Sequence, residues 1–137
     1  MAHWLVKSEP SSWSWEQQVA AGAKGTSWNG VRNHTAKLHL MAMKLGEQVF
    51  FYHSNEGKEI VGIVEVIKLF YPDPSDASGK FGMVDFKAVK PLKKPVTLEE
   101  VKVTPALAKM SLVTSFRLSV QPVTDAEWKL VCKMGGI

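Results

Sequence analysis

QVFFYHSNEGKEIVGIVEVIKLF, residues 48–70, decides the fold. Its two apolar runs, QVFFYHSN at 48–55 and IVGIVEVIKLF at 60–70, are rich in β-branched and aromatic residues and are separated by a turn at Glu56 and Gly57. Strand side chains alternate between faces. Runs this short and this continuously apolar therefore predict an antiparallel hairpin covered on both faces.

Outward from the hairpin, HWLVKSEP at 3–10 reads as an opening strand. Trp4 and Val6 share one face, Leu5 and Lys7 the other, and Pro10 ends the ladder. Ser14 with Gln17 three residues on is a capping box for a short helix, and Gly22 lies beyond its end. GAKGTSWNG at 22–30 is a loop by its glycines and small polar residues. Asn33 caps a helix over 34–44, on which Ala36, Leu40 and Met43 form one stripe and Leu38, Met41 and Leu45 lie nearly opposite. That pattern predicts a helix buried on two sides.

YPDPSDASGK at 71–80 reads as a polar loop, FGMVDFKAV at 81–89 as a strand and RLSVQPV at 117–123 as the last strand. Thr97 with Glu100 and Thr124 with Glu127 repeat the capping box, and Thr104-Pro105 opens a further short helix. The final helix buries Trp128, Val131 and Cys132 and stops at Gly135 and Gly136. Strands interrupted by helices at irregular intervals predict one α+β domain over residues 1–137, a small mixed barrel of five or six strands with short helices packed on it.

A chain of 137 residues buries a real core without disulfides, and the single cysteine, Cys132, excludes an internal one. Neither a charged, apolar leader nor an apolar run near the roughly 18 residues of a membrane span occurs. An intracellular protein is expected, cytoplasmic in a bacterium and nuclear if eukaryotic. Seventeen Lys and Arg against thirteen Asp and Glu give +4, which permits a polyanionic partner without demanding one.

Enzyme signatures are missing: no Walker sequence, GxGxxG, HExxH or GxSxG occurs. His34 and His39, five apart on a helix, point well over a hundred degrees from each other, and His3 and His53 stand alone, so no metal site is expected. His53 and Ser54 are strand neighbours on opposite faces and cannot form a catalytic dyad. Cys132 falls on an apolar helix face and reads as an inert thiol. No catalytic residue and no cofactor follow. Lys87, Lys90, Lys93 and Lys94 read as a solvated edge that hinders sheet pairing, with a phosphate-tracking strip as the alternative.

Among five tryptophans, Trp4 and Trp128 fall on core faces, and Trp13 and Trp15 flank a helix start, where they pack. Trp28 sits in a loop just before Val31, Arg32, Asn33 and a helix start. A stacking surface, a fixed positive charge and free backbone N–H groups together suit a nucleotide. Two polar clusters, Lys7-Ser8-Glu9 and Tyr52-His53-Ser54-Asn55, end their strands at the barrel mouth, where a ligand would be read by hydrogen bonds.

WLVKSEP at 4–10, WNGVRN at 28–33, AMKLGEQVFFYHSN at 42–55, IVGIVEV at 60–66, YPDP at 71–74 and RLSVQPV at 117–123, in that order, resemble the EVE domain family of the PUA-like superfamily, related to YTH and ASCH domains. The resemblance implies a PUA-like mixed pseudobarrel with a pocket for a modified nucleobase such as a methylated cytosine or adenine. It implies Trp28 as a wall of the base cage and Lys7 and Ser8 beside it. Val31, Arg32 and Asn33 belong to the same block, and Tyr52, His53 and Ser54 match the family's FYHS segment. The sequence departs from the family pattern at His34, Lys37, Leu38 and Met41, which weakens the basic helix surface. The expectation is a non-catalytic module holding a flipped or unpaired modified base of DNA or RNA. In it Trp28 stacks, Lys7, Ser8, Asn33 and Ser54 make polar contacts, and Arg32 and Lys37 meet phosphate. A subunit of a nucleic-acid-processing enzyme and a protein-binding scaffold are the alternatives.

Overall fold

The computed structural model describes residues 2–137. In chain order the strands are β1 (His3–Ser8), β2 (Thr26–Ser27), β3 (Gln48–His53), β4 (Glu59–Pro72), β5 (Gly82–Thr97) and β6 (Val120–Val123). The helices are α1 (Trp15–Ala20), α2 (His34–Ala42), α3 (Leu98–Val103), α4 (Ser111–Thr114) and α5 (Asp125–Met134), with short 3-10 turns at Gly22–Lys24 and Pro105–Leu107. The capping boxes form as read at Ser14, Thr97 and Thr124, each hydroxyl accepting the N3 N–H while the N3 side chain reaches back. Such a cap contributes about 1 kcal/mol.

The strands make one mixed sheet in the order β2-β5-β4-β3-β1-β6. β1 and β3 run parallel, and the expected hairpin of β3 and β4 pairs Gln48 with Glu65 through His53 with Glu59. The end strands β2 and β6 are not hydrogen-bonded to each other, so the six strands curl without closing. Both faces are covered. Trp4, Val6, Phe51, Val64 and Phe86 pack with Ala36 and Leu40 of α2. On the other face Leu5, Phe50, Tyr52 and Ile63 pack with Val101, Leu112, Trp128 and Val131 of the C-terminal helices.

Three expectations are corrected. α2 is buried on one side only: Ala36 and Leu40 are fully covered, whereas Leu38 and Met41 are 63% and 52% exposed. A helix lying on one sheet face covers one stripe, and no second layer meets the other. The last strand holds only Val120–Val123, and Arg117, Leu118 and Ser119 belong to the segment before it. β5 runs far past residue 89, to Thr97. Its prolines hid the extension. Pro91 pairs with Gly62 and Val96 with Ile60, so residues 92–95 stand against Val61 alone and bulge out of the ladder, an arrangement that tolerates the missing N–H of Pro95.

The lysine edge is also partly neutralised, by one acid of the facing strand and one of the helix that follows. Lys87 Nζ lies 3.7 Å from Glu65 of the facing strand, and Lys94 Nζ lies 3.7 Å from Glu100. Cys132 is half-buried at the edge of the second core, and burial pushes its thiol pKa up.

Gly62 carries a packing constraint. The Trp15 indole lies flat across it, and a Cβ there would sit 2.4 Å from Trp15 Cη2. Phe51 meets the same indole edge to face at 5.4 Å, so the ring cannot simply withdraw. Gly62→Ala is expected to lower stability by about 2 kcal/mol through this overpacking. Urea unfolding checks it, and an unchanged midpoint would contradict the close packing.

Candidate nucleic-acid interface

A concavity of about 610 Å³ opens where β1 ends, between the turn into α1 and the loop that follows β2, and its lining includes Lys7, Ser8, Ser12, Trp13, Ser27 and Trp28. That volume lies within the usual range of small-molecule sites. The parallel pairing of β1 with β3 and the pairing of Thr26 with Phe86 bring these distant segments to one rim.

Trp28 is not the open ring expected of it. It is 8% exposed, meets Phe51 and Phe86 edge to face at 5.7 Å and 5.4 Å, and forms part of the concavity's wall from within the core. The more accessible indole is Trp13, half-buried, which the sequence reading assigned to packing. Its place is fixed from both ends. Ser8 Oγ donates to its carbonyl at 2.5 Å, and its Nε1–H donates to Gln18 Oε1 at 2.8 Å. Gln18 is fully buried, and its Nε2 donates at 3.1 Å to the Phe86 carbonyl of β5. The one sequence sign of this was a polar residue on a helix turn with an indole on either side of the cap.

Behind Ser27 stands a polar pair that was not anticipated. Tyr71 OH donates to Asp85 Oδ1 at 2.6 Å and lies 3.2 Å from Ser27 Oγ. Burial, followed by the bond to Asp85, raises the Tyr71 pKa.

Arg32 does not stand free for a phosphate. Its Nη1 pairs at 3.1 Å with the fully buried carboxylate of Asp73, and its Nη2 donates to Ser75 Oγ at 3.0 Å. Asp73 also accepts the Gly30 N–H at 2.8 Å, and the Ser75 N–H and hydroxyl at 2.8 Å and 2.6 Å. Gly30 adopts φ +81°, which favours glycine. Burial opposes ionisation of Asp73, but the bonds from Ser75, Gly30 and Arg32 outweigh it and hold the carboxyl far below its usual range. The loop after Trp28 is thereby clipped to the loop after β4.

The other expected residues fall apart by strand face. Lys7 and Ser8 line the concavity. Tyr52 points into the opposite core, 3% exposed, where burial raises its pKa to about 12. His53 Nε2 accepts the Trp15 N–H at 3.0 Å and so holds the start of α1. Ser54 N–H donates to the Ser8 carbonyl at 2.9 Å, tying the ends of β1 and β3 together. Val31 is a core residue, and Asn33 Oδ1 caps α2 through Ala36 N–H at 2.9 Å. Lys37 Nζ lies 5.8 Å from the Phe81 ring centroid. Among the described residues no three His, Cys, Asp or Glu side chains gather as metal ligands, and no helix is long and apolar enough to cross a membrane.

An open mixed sheet covered on both faces, with a tryptophan-walled concavity at its strand ends, is a PUA-like architecture. The EVE domain family model matches residues 2–134, and the chain belongs to that family. A Rhodopseudomonas palustris protein solved by NMR is 69% identical, with a TM-score of 0.94, 99% of this chain and 94% of that one being covered. Human thymocyte nuclear protein 1 is 36% identical over 97% of this chain and 73% of its own length. Its crystal structure in complex with 5-methylcytosine-containing DNA superposes with a TM-score of 0.92 at 35% identity, covering 100% of this chain and 99% of that one. The YTH domain of Zygosaccharomyces rouxii MRB1, solved with N6-methyladenosine RNA, shares the fold, with a TM-score of 0.58 at 19% identity over 99% of this chain and 85% of that one.

The Asp73 clip makes a prediction in pH. Its folded pKa lies below the unfolded value of about 3.9, so its stabilisation is full above that value and is lost as pH falls through the folded one. Asp73→Asn, which leaves Arg32 without its carboxylate, is expected to cost about 3 kcal/mol at pH 7, and the deficit should shrink below about pH 4. Urea unfolding of both proteins from pH 7 to pH 2 measures this; a deficit independent of pH would contradict it.

Proposed function

We propose that this chain is a non-catalytic module that holds a modified nucleobase of a nucleic acid, with methylated cytosine in DNA as the leading ligand. The observation that carries the reading is the concavity walled by two indoles, Trp13 and Trp28, with the hydroxyls of Ser12 and Ser27 and the ammonium of Lys7 around it. Indoles supply planar apolar surface for a heterocycle, and the polar groups are placed to meet its edge. The complex of the human relative with 5-methylcytosine-containing DNA supports the ligand class.

Trp13 is the principal stacking wall, because two hydrogen bonds already hold it in place and little entropy remains to be lost on binding. Trp28 forms the second wall and anchors it to the core. Lys7, Ser8, Ser12 and Ser27 make the polar contacts. Lys37 is assigned to phosphate, while Arg32 stiffens the wall through Asp73. The non-catalytic reading is supported by the bonds of Ser8 Oγ, which donates to the Trp13 carbonyl, and of His53 Nε2, which accepts the Trp15 N–H. Neither is poised as a nucleophile with its base.

Base stacking on an aromatic contributes roughly 1 to 3 kcal/mol. Trp13→Ala is therefore expected to weaken binding of a 5-methylcytosine-containing oligonucleotide by about ten- to a hundred-fold, with Trp13→Phe, which keeps an aromatic face but loses the bond to Gln18, recovering part of the affinity. Calorimetric titration of the parent and both variants checks this, alongside unfolding curves to show the fold is kept. Parent-like binding by Trp13→Ala would overturn the assignment.

A further inference from the structure

A second concavity, of about 360 Å³, lies between the first turn of α2 and the segment joining α4 to β6, with Thr35, Thr114, Ser115, Phe116 and Arg117 in its lining. The two concavities have no lining residue in common, and one hydrogen bond links them. Lys7, which lines the first concavity, donates its Nζ–H to the backbone carbonyl of Phe116. An ammonium has three N–H donors, so this bond leaves two.

The exposed character of this second wall is unusual for the chain. Phe116 is 67% exposed, although the fold buries every other phenylalanine at least in part. Arg117 is also exposed, and its guanidinium carbon lies 5.7 Å from the Phe116 ring centroid. Thr35 and Ser115 are exposed residues with hydroxyls, the Thr114 hydroxyl donates to the Met110 carbonyl at 3.4 Å, and among the described residues no acidic side chain lines the concavity. The flat ring, fixed cation and hydroxyl groups are the parts a single nucleic-acid strand uses: a stacking platform for the base and donors for the phosphodiester.

The geometry points to the second concavity as the subsite for the nucleotide adjoining the base held in the first, with its base on Phe116 and the intervening phosphate between Lys7 and Arg117. The inference rests on the base-binding reading and deepens it. It assigns this chain a two-nucleotide footprint whose second step depends on stacking and charge, so its sequence preference is weak.

Two probes separate the two claims: 5-methyl-2′-deoxycytidine as a free nucleoside, and a single-stranded pentadeoxynucleotide with 5-methylcytosine at its centre and thymines on either side. Phe116→Ala is expected to bind the nucleoside like the parent and the pentanucleotide about ten-fold more weakly, with Phe116→Trp restoring it. Arg117→Gln should weaken the pentanucleotide alone and flatten the slope of log affinity against log salt by about 0.7, the contribution of one single-strand phosphate. Both residues are on the surface, so the variants fold. If the parent binds both probes and neither variant changes pentanucleotide affinity, the second subsite is overturned while the base pocket stands. If the parent binds neither probe, both claims fall. If it binds the pentanucleotide but not the nucleoside, the base-pocket reading fails, and the adjoining subsite fails with it.

Discussion

The carboxamide of Gln18 is the constraint on which the site depends. It is fully buried, where an amide without partners would cost about 1 to 3 kcal/mol, and it finds both. Its oxygen accepts from the Trp13 indole and its nitrogen donates to the Phe86 carbonyl. One side chain thus joins the turn before α1 to β5. The carbonyl is on the same residue that pairs with Thr26 of β2, so the two walls of the concavity are referred to one point in the sheet. In a dry core such a bridge admits few alternative arrangements, because moving either wall would strand a polar group.

A second fastening acts from the other side. Asp73, buried and surrounded by donors, holds Gly30, Arg32 and Ser75, and the loop after Trp28 is set by it. Glu47 does comparable work near the chain start, accepting from Ala2 N–H, Trp4 Nε1–H and Lys44 N–H at 2.9 Å, 3.0 Å and 2.8 Å. Its pKa is lowered because these bonds outweigh burial, which acts the other way. The pattern explains why Arg32 stays on the loop: a guanidinium already pairing with a buried carboxylate would leave that charge stranded if it turned outward. The positive charge nearest the concavity is instead Lys7, whose pKa burial lowers.

Period and capping made most of the fold legible in the sequence. The β3–β4 hairpin, the three capping boxes and the cap at Asn33 follow from local rules, and all four caps form. The length of β5 was hidden because Pro91 and Pro95 look like strand ends, and only the facing strand shows that Pro91 still pairs and Pro95 lies within a bulge. The one-sided burial of α2 could not be read from its wheel, since a second apolar stripe has the same period whether or not another layer covers it. Lys7, Ser8 and Trp28 were legible as lining of the concavity because they end a strand or sit in a loop. Tyr52 was not, since its face is decided by the β3 register. Trp13 was read only as packing because a tryptophan beside a helix cap gives no local sign of which side it shows to solvent.

Whether Trp13 and Trp28 together receive a planar base can be read from the five indole N–H resonances of the chain. Titration with 5-methyl-2′-deoxycytidine should shift the Trp13 and Trp28 signals in parallel. Those of Trp4, Trp15 and Trp128, which do not line the concavity, should stay in place. Movement confined to Trp4, Trp15 or Trp128, or none at a saturating nucleoside concentration, would contradict the account.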